Sequence, residues 1–136
     1  MKRPRWIDAR AVLLLHAASL SEHGGLVGMR DEAGFESAMA RPRQVLSYEP
    51  EGEPKCDVAR LAAAYGFGLI RNHPFSDGNK RAGFLAILLF LDLNGYELDV
   101  DQADAIQTIF KVAAGKMNES ELTNWIRNHA HKAGTT

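Results

Sequence analysis

Apolar residues recur at helical spacing along most of the chain. Between Trp6 and His23 stand Ile7, Val12, Leu13, Leu14, Leu15 and Leu20, and the run stops at Gly24-Gly25, residues suited to the left-handed turn that ends a helix. Asp31 can cap a short second helix through about residue 40, with Phe35 and Met39 on one face and Pro42 closing it. Val45 to Asp57 holds Pro50, Gly52 and Pro54 among glutamates, which predicts an exposed, hairpin-like flap. Helical spacing returns from Cys56 to Asn72. The most apolar stretch, Ala82 to Leu93, is broken only by Gly83 and Asp92 and ends at Asn94-Gly95. A helix over 102–114 and another from Asn118, with Glu121 at capping-box spacing, complete the pattern; 131–136 reads as a frayed tail. The prediction is an all-α fold of about six helices around a central apolar helix, 82–93.

With 136 residues, 46% hydrophobic and 24% charged, the chain is large enough to bury a core as one domain, 1–136. A net charge of -1 gives no bulk attraction to nucleic acid or to an anionic membrane, so a polyanion must be held locally. The single cysteine, Cys56, cannot form an internal disulfide, and a reducing, cytoplasmic setting follows. The basic N-terminus is followed by an apolar stretch interrupted by Asp8, Arg10 and His16, unlike a signal peptide, and 82–93 falls short of the ~20 residues that span a bilayer.

Composition leaves function open; the stretch His73-Pro74-Phe75-Ser76-Asp77-Gly78-Asn79-Lys80-Arg81 narrows it. Pro74 pushes His73 out of the right-handed helical region, placing it at a helix exit. The next helix would begin at Gly78 and Asn79, its unpaired N–H groups facing an anion, with Lys80 a point charge and Arg81 a planar fork for phosphate oxygens. The dipole alone contributes only ~0.3–1 kcal/mol, so these cations and a metal must supply the rest. Asp77 is a hard oxygen ligand for Mg2+ beside that cradle, or else only a helix cap. His73 can accept a proton from an attacking hydroxyl. Phe75 reads as an anchor for the loop. The spacing G-x-x-x-x-G-K-[ST] is absent, which removes the P-loop reading.

The stretch 73–81 resembles the signature of the Fic/Doc family, H-x-F-x-D/E-A/G-N-G/K-R, at every defined position. Residues 24–31, 38–42 and Tyr48 look like the death-on-curing (Doc) branch, so the resemblance covers nearly the whole chain. It implies a compact Fic-fold helical bundle. It further implies His73 as general base, Asp77 as Mg2+ ligand, and Gly78, Asn79, Lys80 and Arg81 as binders of ATP phosphates. Fic-type adenylyltransferases carry glycine at the position of Lys80 and Doc-type toxins carry lysine. The resemblance therefore implies transfer of the terminal phosphate to a Ser or Thr hydroxyl of a host protein, a translation elongation factor for Doc-like toxins. Gly78 stands where Doc proteins carry alanine and Pro74 is the commoner Fic choice, so AMP transfer is the second reading.

The family also implies a partner. Ser47 to Gly52 formally matches the inhibitory pattern S/T-x-x-x-E-G/N, but Pro50 inside it disfavours a helix by ~3 kcal/mol. Restraint would then come from a small antitoxin acting on the active site. In family members the flap aligns a target segment by strand-like pairing, a role that falls on Val45, Leu46, Ser47 and Tyr48. Two readings from other classes are a catalytically silent Fic-fold binding protein and a helix-turn-helix DNA binder with Arg41 and Arg43 in a basic patch; charge balance disfavours the latter.

Overall fold

A computed structural model describes residues 3–48 and 56–134. Among them six helices run in the order α1 (Ala9–His23), α2 (Glu32–Tyr48), α3 (Val58–Asn72), α4 (Asn79–Leu93), α5 (Gln102–Ala113) and α6 (Glu119–His129). The all-α expectation holds. Local chemistry explains the boundaries. Asp8, Asp57 and Asp101 cap α1, α3 and α5 by accepting a backbone N–H in the first turn, and Asn118 with Glu121 forms the capping box of α6. Asn94 and Gly95 end α4; the Asn94 side chain also exchanges two hydrogen bonds with the Arg5 backbone and so ties down the N-terminal strap.

Three expectations are corrected. Helix α2 does not stop at Pro42 but runs through it to Tyr48. An interior proline costs about 3 kcal/mol. Here its ring is fully buried, and that packing offsets the lost hydrogen bond. In consequence Val45 to Tyr48 are helical, not strand-like, and Val45 is a core residue; the remaining flap positions, 49–55, lie outside the described residues. The tail is not frayed throughout, because β2 (Ala130–Lys132) pairs antiparallel with β1 (Tyr96–Leu98). Neither strand falls within 45–57, the stretch expected to form a hairpin-like flap.

Helix α3 is the buried centre, sharing that place with the predicted central helix α4. From Leu61 to Tyr65 every residue is fully buried, and Ile87, Phe90 and Leu91 meet it from α4. Glycines allow the close approach. A Cβ on Gly83 would lie 2.5 Å from Ile70 Cγ1 and 3.0 Å from the Gly66 carbonyl, and one on Gly66 would lie 3.3 Å from the Gly83 carbonyl. Gly83→Val is expected to lower stability by about 1–3 kcal/mol through overpacking, outweighing a gain in helix propensity below ~1 kcal/mol. Urea denaturation checks this, and an unchanged midpoint would refute the close-packing argument. On the far side, Glu119 of α6 accepts from Arg41 of α2 and Arg60 of α3, and Arg127 pairs with Asp57. No helix among the described residues is long and apolar enough to cross a membrane.

Candidate active site

The exit of α3 and the entry of α4 converge on residues 73–81. His73 caps α3 at φ 49° and ψ 53°, the one non-glycine residue at positive φ among the described residues. Left-handed backbone costs an L-residue about 1–2 kcal/mol. Pro74 bars His73 from continuing the right-handed helix but by itself favours extended backbone, so the left-handed turn must be held by its contacts. Two contacts hold the exposed residue there: its carbonyl accepts from the Arg30 guanidinium at 2.8 Å, and its Nδ1 lies 3.2 Å from Asn79 Nδ2.

Asn79 is the internal clamp of the loop. Its Oδ1 accepts from the Phe75 N–H at 2.9 Å and its Nδ2 donates to the Phe75 carbonyl at 3.0 Å, which fixes the amide's orientation. The second Nδ2 hydrogen is thus the one facing His73 Nδ1. In the neutral ring that bond leaves the proton on Nε2 and the lone pair on Nδ1. The Asn79 side chain is buried and fully used, so only its backbone N–H is left to meet a phosphate.

Asp77 looks toward the glycine-rich loop before α2. Its Oδ2 accepts from the Leu26 N–H at 3.2 Å and its Oδ1 from the Gly78 N–H at 2.9 Å. These two backbone bonds hold its carboxyl below the ordinary value, with Arg81 and Lys80 adding to the effect, so it stays ionised at neutral pH. Gly25, at φ 131°, is required here, since a Cβ would stand 2.9 Å from Asp77 Oδ2. The two loops are stitched further: Arg30 and Asp31 N–H groups both donate to the Pro74 carbonyl, at 2.7 and 2.9 Å, and the Ser76 N–H donates to Gly28 at 3.0 Å.

Helix α4 starts at Gly78, φ 78°, without a side-chain cap. The backbone N–H groups of Asn79, Lys80 and Arg81 therefore form an uncapped anion cradle. The Lys80 ammonium rests 5.2 Å from the centre of the Phe110 ring on α5, a contact worth about 0.5–1 kcal/mol at an exposed site. Arg81 donates to the Gly24 carbonyl at 3.2 Å, and its buried Nε has no hydrogen-bond partner among the described residues. The donor set suits a phosphate. A Mg2+ ion also fits, but only with a nucleotide: Asp77 is a lone carboxylate, and no group of three or more His, Cys, Asp or Glu residues capable of holding a metal occurs among the described residues.

Phe75 is 2% exposed, tilted against Phe35 at 5.7 Å and stacked on His16 at 3.7 Å. His16, buried on α1, donates from Nε2 to the Asp77 carbonyl at 2.7 Å. In the sequence His16 stood out only as an interruption of the N-terminal apolar stretch, with no part in the site. Its spacing from Val12 and Leu20, four residues either side on the buried face of α1, was the available signal. Arg30 was missed too, and carried none. An apolar cleft of about 370 Å3 opens beside the loop, between Leu13, Ala17 and Leu20 of α1 and Val27 and Met29. Of the sequence-predicted residues, 73–81 come together; Val45 to Tyr48 do not join them as an extended segment. Arg41 is engaged by Glu119 and Arg43 lies over Trp6, which weakens the basic-patch reading.

The model of the Fic/DOC family matches residues 6–91, a span that holds α1 to α3, the whole loop and most of α4. This chain belongs to the Fic/DOC family. It is 30% identical over 123 residues to the protein kinase doc of Escherichia phage P1, covering 90% of this chain and 94% of that relative. It is 38% identical over 95 residues to the toxin Doc of Mycolicibacterium smegmatis, covering 67% and 70% respectively. Family membership agrees with the helical bundle.

Proposed function

We propose that this protein is a Doc-like toxin that transfers the terminal phosphate of Mg-ATP to a Ser or Thr hydroxyl of a host protein, a translation elongation factor. The observation that carries the reading is the convergence, in one loop, of His73, an ionised Asp77 and the uncapped start of α4 with Lys80 and Arg81. The relatives named protein kinase and toxin support it. In the reaction the hydroxyl oxygen bonds to the γ-phosphorus, the bond to the bridging oxygen breaks, ADP leaves and the hydroxyl proton passes to His73. The α4 N–H groups, Lys80 and Arg81 hold the phosphates. Asp77 would hold Mg2+, whose charge neutralises the phosphate oxygens.

A small antitoxin completes the proposal. The apolar cleft beside the loop, with Leu26 and Val27 exposed at its rim, offers such a partner a seat from which to cover the phosphate cradle. Incubating the protein with elongation factor and Mg-ATP, then weighing the intact factor, tests the activity. A gain of one phosphate is expected. A gain of one AMP would overturn phosphate transfer in favour of adenylylation, and an unmodified factor would overturn the target.

A further inference from the structure

Several features lie outside the loop's own chemistry. The second cleft, between the N-terminal strap, the start of α3 and Arg127, holds a guanidinium already paired with Asp57. The exposed side chains of Ile106 and Phe110 on α5 have nothing beside them to say what covers them, apart from Lys80. His16 is different, because it is a buried polar group aimed at the loop from another helix.

We infer that His16 is a positioning residue that sets the Asp77–Gly78 peptide and thereby the entrance of the phosphate cradle. Its Nε2–H meets the Asp77 carbonyl at 2.7 Å, while the N–H of the same peptide turns to the Asp77 carboxylate at 2.9 Å. The peptide plane is held at both ends, one by a helix outside the motif. Gly78 follows at φ 78° and opens α4. A rotated peptide would turn the Gly78 N–H from the carboxylate and tilt the first turn of donors. The imidazole has a second contact, a stack on Phe75 with rings 11° apart, and is 6% exposed. Stack and hydrogen bond act together: one fixes the ring plane, the other uses that plane to aim Nε2. Gly78 itself sits close, since a Cβ there would lie 3.4 Å from His16 Nε2. The residue touches neither nucleotide nor target and acts through Asp77 and Gly78.

The inference rests on the nucleotide-transfer reading for its functional consequence, and the test separates the two. His16→Phe keeps a flat ring on Phe75 and removes the donor; His16→Gln keeps a donor at the Nε2 position and removes the stack. Three quantities are read on the full chain: thermal midpoint, the Gly78 amide resonance in a 15N spectrum, and the affinity for Mg-ATP. The expected result is that His16→Phe folds with a midpoint near that of the parent, shifts the Gly78 resonance and binds Mg-ATP about 3- to 10-fold more weakly, the scale of one lost hydrogen bond. His16→Gln is expected to lose midpoint yet keep parental affinity, with the Gly78 resonance moved only by loss of the imidazole ring current. An unmoved Gly78 resonance in His16→Phe overturns the inference, as does equal weakening in both variants in proportion to lost stability. Absence of Mg-ATP binding by the parent overturns the nucleotide reading instead, and the Gly78 resonance then still decides the role of His16.

Discussion

Replacing His73 with Ala is expected to lower the rate of transfer by about 100- to 10,000-fold, the usual contribution of a positioned general base. The fold should survive. The His73 side chain is exposed, and alanine relieves none of the packing between α3 and α4. Alanine does inherit the left-handed backbone, at a cost of about 1–2 kcal/mol that the histidine already bears. Steady-state phosphate transfer, compared with a urea melt of the same preparation, separates chemistry from folding. A variant that stays folded and retains toxicity would remove His73 from the reaction and favour a silent binding protein on the same scaffold.

Asn79→Ala should be costly in a different way. The Phe75 N–H and carbonyl both lose their partner in a buried setting, and each orphaned group costs about 1–3 kcal/mol. The combined loss should be visible as a lower urea midpoint. Activity should fall as well, because His73 Nδ1 loses the contact that fixes its tautomer and ring orientation. In the neutral ring the lone pair lies on the Asn79 side, so a hydroxyl giving up its proton must displace the 3.2 Å amide contact or meet a rotated ring. The affinity for Mg-ATP is expected to change less than the turnover, since the backbone N–H at position 79 remains. An Asn79→Ala protein with the parental midpoint would contradict the clamp.

The sequence made some of this legible and hid the rest for identifiable reasons. Capping chemistry is local, so Asn118 with Glu121, Asp31 before α2 and the Asn94-Gly95 stop could be placed by inspection. Pro74 similarly foretold the exit of α3. Pro42 misled because its local penalty is a rule about isolated helices, whereas its burial is a tertiary fact that no window of sequence contains. The short sheet escaped for the same reason: Tyr96–Leu98 finds its partner in Ala130–Lys132, more than thirty positions away. Within the site, the sequence marked 73–81 as one loop, but the hydrogen-bond partners of its side chains came from geometry. Asn79 was read as a phosphate ligand, and its side chain is committed to the Phe75 backbone and to His73.

The stitching between residues 24–31 and 73–81 bears on what can be moved from one protein to another. Leu26, Gly28, Arg30 and Asp31 lend hydrogen bonds to the motif, and Gly24 takes one from Arg81. A nine-residue graft into a foreign helical hairpin would therefore carry the reagents and leave behind the frame that aims them. The smallest portable module is discontinuous, two loops brought together by the helices that separate them in the chain.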